Sequence, residues 1–244
     1  MKKLLSIAMA SLAVAALADP PANTASPTIG VTAITTSLQS TIVSVPFTSL
    51  NGGGAIDVKQ LVDTQGFATG DWLYVFDGTS YYSWTITDGA WTPVTSASTS
   101  GGIIPAELND KKSAVSAPGA IWVVFKNAPQ AEKTFYIYGQ YAAITSQSIV
   151  NGKNNLVANP LQSAAVPTVS GAVKGDSIVV PSATGSVTYS YTQKRNKPET
   201  LGWYDPSGTK LETFPATPQG QGFWYIRNAG EGECSISWSA SAGS

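Results

Sequence analysis

The chain has 244 residues, one cysteine, no histidine, and 14 basic against 15 acidic side chains, for a net charge of −1. The missing histidine excludes a Ser-His-Asp or Cys-His relay and a His-ligated zinc, and the mild acidity argues against nucleic acid, which draws on clustered Lys and Arg. Charged residues are only 12% of the chain, and such a sparsely charged surface suits an exported protein and tolerates self-association.

Met1-Lys2-Lys3, an apolar stretch over 4–17 and Ala16-Leu17-Ala18 before Asp19 read as a signal peptide over 1–18. The stretch is short for a membrane span. No later run approaches that length, so the mature chain is expected to carry no transmembrane segment. With no cysteine near the cleavage point, a lipid anchor is not expected there either. Residues 19–27, with Pro20, Pro21 and Pro27, form an extended lead-in.

A first β module is read over 28–146. Residues 28–47 are rich in Thr, Val and Ile and alternate at 41–45, as two strands or one long bent one. After Asn51-Gly52-Gly53-Gly54, the apolar residues Ile56, Val58, Leu61 and Val62 recur at helical spacing and predict the module's only helix over 56–64. Trp72–Phe76 is apolar on both faces and reads as a central strand. Asp77-Gly78 and Asp88-Gly89 set hairpins around the alternating Tyr82, Trp84 and Ile86. A long loop is expected over 95–118, then strands over 121–125 and 134–138.

A second module is read over 147–244, with 147–153 as a connection. Strands follow near 155–158, 176–180, 186–192, 201–204, 210–214, 222–227 and 234–238. Lys194-Arg195-Asn196-Lys197 reads as a solvated hairpin tip, and Asp205-Pro206-Ser207-Gly208 as a type I turn. The two modules carry landmarks in one order. Val43-Ser44-Val45-Pro46, Gly70-Asp71, Tyr82, Trp91, Ile121-Trp122 and Lys126-Asn127-Ala128 run through the first half. Val157-Ala158-Asn159-Pro160, Gly175-Asp176, Tyr189, Trp203, Phe223-Trp224 and Arg227-Asn228-Ala229 run through the second. The offset is roughly 100–115 residues, which reads as an internal duplication. The expected fold is all-β: two tandem, duplicated β-sandwich or partly closed β-barrel modules, with at most one short helix besides the signal peptide. Short strands fit an outer-membrane barrel poorly.

Val45-Pro46-Phe47, Gly70-Asp71, Ala90-Trp91 or Gly202-Trp203, and Gly220 to Tyr225 together resemble a module of uncharacterised exported proteins of Gram-negative bacteria. The resemblance covers nearly all of the mature chain, though Pro118-Gly119-Ala120-Ile121-Trp122 departs from it. It implies an all-β module and carries no catalytic residue, cofactor or partner with it.

The residues offer little chemistry of their own. Asp71, Asp77, Asp88, Asp176 and Asp205 each occupy a turn context, and Glu107, Asp110, Glu199, Glu212, Glu231 and Glu233 fall in loops or on solvent faces. No pair is set up for glycoside hydrolysis, and no loop has the spacing of a calcium site. Asp71 and Asp176 are expected to bind backbone N–H groups where their strands begin. Cys234 shares a strand face with Ile236 and Trp238 and reads as a buried, unpaired thiol. Catalytic, metal and cofactor residues are therefore expected to be none.

The aromatics leave two readings. Trp84, Trp122, Trp224 and Trp238 are expected in the core, with Tyr136, Tyr138 and Tyr141 between the modules. Exposed aromatics would instead make a carbohydrate-binding module. The first expectation is an exported, non-enzymatic envelope or extracellular protein with a structural or protein-interaction role, its partner unknown or a second copy of itself. Carbohydrate binding is the alternative.

Overall fold

The computed structural model describes residues 29–48, 56–57, 62–76, 81–94, 114–115, 119–129, 131–141, 145–161, 163–230 and 232–240. The expected signal peptide, the lead-in, Asp77-Gly78 and most of the 95–118 loop lie outside the described residues.

The first module is built from β1 (Ile29–Thr36), β2 (Ser40–Val45), β3 (Phe47–Thr48), β4 (Ile56–Asp57), β5 (Trp72–Phe76), β6 (Tyr81–Thr87), β7 (Ala90–Pro93), β8 (Ala114–Val115), β9 (Gly119–Val124) and β10 (Lys133–Tyr141). They form a five-stranded sheet in the order β2-β9-β5-β6-β7, a three-stranded sheet β1-β10-β3, and the small pair β4-β8. The second module comprises β11 (Ser146–Ile149), β12 (Asn154–Ala158), β13 (Ala165–Ser170), β14 (Ser177–Ser182), β15 (Gly185–Thr192), β16 (Gly202–Tyr204), β17 (Gly222–Ile226) and β18 (Cys234–Ala240). Its sheets run β12-β17-β14-β15-β16 and β11-β18-β13. All pairings are antiparallel, and no sheet closes on itself, so each module is an open sandwich and not a barrel.

Leaving aside β4 and β8, the strands of the two modules taken in chain order occupy the same places in their sheets. The registers agree as well. Ile42 lies opposite Trp122 as Leu156 lies opposite Trp224, and Trp72 faces Thr85 and Val124 as Ser177 faces Ser190 and Ile226. Pro46 and Pro160, Asp71 and Asp176, Trp91 and Trp203, and Trp122 and Trp224 thus hold matching positions. Two landmarks shift. Tyr189 matches Trp84 and not Tyr82, and Arg227 matches Phe125, which pairs Lys126 with Asn228.

Strand alternation builds three apolar layers from two five-stranded sheets. Along β5, Leu73 and Val75 point into the first module's core with Val43, Trp84, Ile121, Val123 and Phe135. The second core gathers Val157, Ile178, Phe223, Tyr225, Cys234, Ile236 and Trp238. The opposite faces of both five-stranded sheets meet each other through Ile42, Ala120, Leu156 and Ala158, flanked by Phe76, Tyr81, Trp122 and Trp224. The bridge between Val43 and Gln221, and the Ser44 N–H bond to the Gly220 carbonyl at 3.0 Å, tie the two modules along one edge. Gly220 allows this approach, since a Cβ there would lie 2.5 Å from the Ile34 Cδ1 of the first module.

Several expectations need correction. Of the span 56–64 expected as a helix, residues 58–61 lie outside the described residues and the described ones are not helical: Ile56–Asp57 is extended, and Val62 bridges Ile137 while its carbonyl accepts the Trp91 indole N–H at 3.1 Å. Val62 itself is a core residue of the first module. The connection over 147–153 contains β11, while 210–214 has only a bridge from Lys210 to Tyr204. β13 is a further strand: it contains Pro167, and its edge position tolerates the missing N–H. Trp84 and Trp238 are core residues, but Trp122 and Trp224 are half-buried at the contact between modules. Tyr136 and Tyr138 instead lie on the outward face of the three-stranded sheet, because their neighbours Phe135 and Ile137 take the inward positions.

Asp88-Gly89 is a tight turn with φ of 52° and 76°, as the hairpin between β6 and β7 requires. The 205–208 turn closes with the Gly208 N–H on the Asp205 carbonyl at 3.0 Å. There the Ser207 hydroxyl and the Thr209 N–H hold the Asp205 carboxyl below the usual range.

Candidate functional site

Asp71 and Asp176 each follow a glycine of positive φ, 89° at Gly70 and 97° at Gly175, which turns the chain into the central strand. Each carboxylate then clamps two distant backbone segments. Asp71 accepts the Ala68 N–H at 2.8 Å and the Lys126 N–H at 2.9 Å. Asp176 accepts Val173 N–H at 3.0 Å and Asn228 N–H at 2.9 Å. Both side chains are spent on the fold. The second module adds a buried network: Asp176 also accepts the Tyr225 hydroxyl at 2.6 Å and the Arg227 Nη1 at 2.7 Å, with both charged side chains fully buried. Burial alone would pull the guanidinium pKa down, but the Asp176 carboxylate against it holds it above the ordinary value. In the first module the cation comes from β10, where Lys133 Nζ lies 3.7 Å from Asp71 and over the Phe125 ring.

Cys234 donates to the Tyr225 hydroxyl at 3.5 Å and is buried beside Ile236 and Trp238. Burial raises its thiol pKa, partly offset by that bond and by Arg227. A thiol this shielded is a poor nucleophile. It should stay unmodified by an aromatic disulfide reagent in the native protein and react only on unfolding; rapid native labelling would overturn the assignment.

Asn155 and Asn159 were not singled out by sequence reasoning, although both are buried. Asn155 accepts the Val150 N–H at 2.7 Å and caps the Val150 and Lys153 carbonyls, while Asn159 donates to the Ser163 and Thr217 carbonyls. They anchor loops as the two aspartates do. Of the other acids, Asp88, Glu199, Glu212 and Glu233 are exposed, and Asp77, Glu107, Asp110 and Glu231 lie outside the described residues. No group of three metal-ligating side chains converges among the described residues.

The contact between the five-stranded sheets is the most informative surface. On the first module's face, Trp72, Tyr74 and Trp122 stack in series, with ring centroids 5.9 and 4.5 Å apart, and Trp122 meets Trp224 edge-on at 5.1 Å. Phe76 and Tyr81 fill the space beside the β11–β12 turn, where the Tyr81 hydroxyl donates to the Asn154 carbonyl at 2.6 Å. At the matching place on the second module, Pro181 stands for Phe76, Ser186 for Tyr81 and Val179 for Tyr74. An open groove of about 460 Å3 remains there, against the β1–β2 turn and Trp224. A smaller apolar cavity of about 80 Å3 near Tyr189, Phe214 and Phe223 is a gap at the core's end.

Compared with known proteins, the chain matches no family model, no curated protein and no solved structure.

Burial pushes the Tyr81 phenol up to about 12. The folded state keeps this proton after the unfolded chain, near pH 10, has lost it. The stabilisation is therefore complete below pH 10 and disappears as pH rises through about 12. Discounting for partial solvent screening, this should amount to about 1 kcal/mol. Urea midpoints from pH 9 to 12 should fall less steeply for Tyr81→Phe than for the parent chain; equal slopes would refute the assignment.

Proposed function

We propose that this is an exported, internally duplicated, non-enzymatic protein of the cell envelope or the extracellular space, acting structurally or through contacts with a protein partner or a second copy of itself. The observation that supports it is β1. This eight-residue strand ends the order β1-β10-β3, and no other described strand pairs with its second edge. Its sequence, Ile-Gly-Val-Thr-Ala-Ile-Thr-Thr, has no charge and no proline, the devices that normally blunt an edge. Val31 is 56% exposed on its outer face, beside the exposed Ala33 and the half-buried Tyr136 and Tyr138. An edge of this kind suits strand addition.

Two lysines on that strand test it. The Val31→Lys, Ala33→Lys variant should keep the parent's melting temperature and lose concentration-dependent association in analytical ultracentrifugation or capture of its partner. An equally associating variant would sink the strand-edge reading. Export itself is tested by the mass of the protein from cell fractions, expected to begin at Asp19.

The second reading is carbohydrate binding. It is favoured by the alignment of Trp72, Tyr74 and Trp122 on one sheet face, but these rings stack face to face and so offer little free ring surface to a sugar. It therefore ranks behind contact with protein.

A further inference from the structure

We propose that the groove between the β1–β2 turn and the β14–β15 hairpin binds a neutral saccharide. This gives the carbohydrate reading a defined site and does not depend on the β1 edge. The groove exists because the two facing sheets are unequal: where Phe76 and Tyr81 plug one side, Pro181 and Ser186 leave the other open. Its volume, about 460 Å3, lies within the range of about 300–1,000 Å3 typical of small-molecule sites.

The lining selects the ligand class. Ser37, Gln39, Ser40, Ser182 and Ser186 line the groove together with Trp224, and among the described residues no charged side chain lines it. An ionic ligand would lose water without gaining a counter-charge. A hydrocarbon would strip water from the hydroxyls and amide and leave them unbonded. A pyranose meets both demands, with hydroxyls at its rim for the serines and glutamine and a C–H face for the indole. One hydroxyl is already oriented. Ser40 Oγ accepts the Trp122 indole N–H at 2.7 Å, which leaves its own proton free to donate.

The matching registers supply the decisive variant. Tyr81 corresponds to Ser186, and the carbonyl it bonds, on Asn154, corresponds to that of Ser40. In Ser186→Tyr the new ring should therefore occupy the groove and its hydroxyl should reach the Ser40 carbonyl, closing this side as the other is closed. The probes are neutral tetrasaccharides of β-1,4-glucose, α-1,4-glucose, β-1,3-glucose and β-1,4-N-acetylglucosamine, with a tetragalacturonate as the anionic contrast, titrated by calorimetry. The parent chain should bind at least one neutral tetrasaccharide more tightly than the anionic one. Ser186→Tyr should weaken that binding at least about tenfold with no loss of melting temperature. Ser186→Leu, which fills less space, gives the same readout if the tyrosine proves destabilising. No binding to any neutral probe, preference for the tetragalacturonate, or undiminished binding by a folded Ser186 variant would each overturn the proposal.

Discussion

Asp176→Ala is expected to destabilise the second module by about 3–5 kcal/mol, the cost of breaking a buried ion pair from one side. The loss follows from what the carboxylate holds. It accepts two backbone N–H groups, the Tyr225 hydroxyl and the fully buried Arg227 guanidinium. Without it, Arg227 keeps a bond to the Gly171 carbonyl at 2.8 Å but has no counter-charge. Its Nε and Nη2 find no partner among the described residues. A folded domain has only about 5–15 kcal/mol in total, so urea unfolding should shift to far lower denaturant. Asp71→Ala should cost less, about 1–3 kcal/mol, because Lys133 is partly exposed and can regain water. The double variant Asp176→Ala, Arg227→Met should lose less than the sum of its single changes. Additive losses would show that the pair does not act as a unit.

Trp224→Ala is expected to cost about 2–3 kcal/mol, below the 3–5 kcal/mol of a fully buried tryptophan, because the ring is only half-buried. Its contacts reach the other module, through the edge-on meeting with Trp122. The cost should therefore appear partly as weaker coupling between the two sandwiches, seen as separation of a single unfolding transition into two. A double cycle with Trp122→Ala should give a coupling of about 0.5–1.5 kcal/mol. A coupling near zero, with one sharp transition retained in every variant, would remove Trp224 from the contact.

The all-β fold was legible because its signals are local. Asp88-Gly89 demands positive φ at a hairpin, and the alternation at 82–86 assigns one face to the core. The buried face of Cys234, Ile236 and Trp238 followed from the same parity. What escaped depends on partners distant in the chain. Periodicity could not tell Val62 as a bridge to Ile137 from a helix residue, and Pro167 concealed β13 because edge position is a property of the sheet. Trp122 and Trp224 look like core residues because a face covered by another module carries the same apolar pattern as one covered by its own. The buried roles of Asn155 and Asn159 left no sequence signal beyond an asparagine inside an apolar run. The groove was invisible for a different reason: it consists of what Ser186 and Pro181 do not fill, and only the register against Tyr81 and Phe76 reveals the difference.

The sheet contact brings like against like, with Trp122 on one side and its counterpart Trp224 on the other. Two separate copies of one module meeting this way would obey a two-fold axis, and every substitution at the contact would appear twice. Joining both halves in one chain removes that constraint. It also replaces an encounter that depends on protein concentration with one set by the short stretch between β10 and β11. One half of the contact can then specialise as mortar while the other stays hollow, a division of labour that a symmetric pair has no means of encoding.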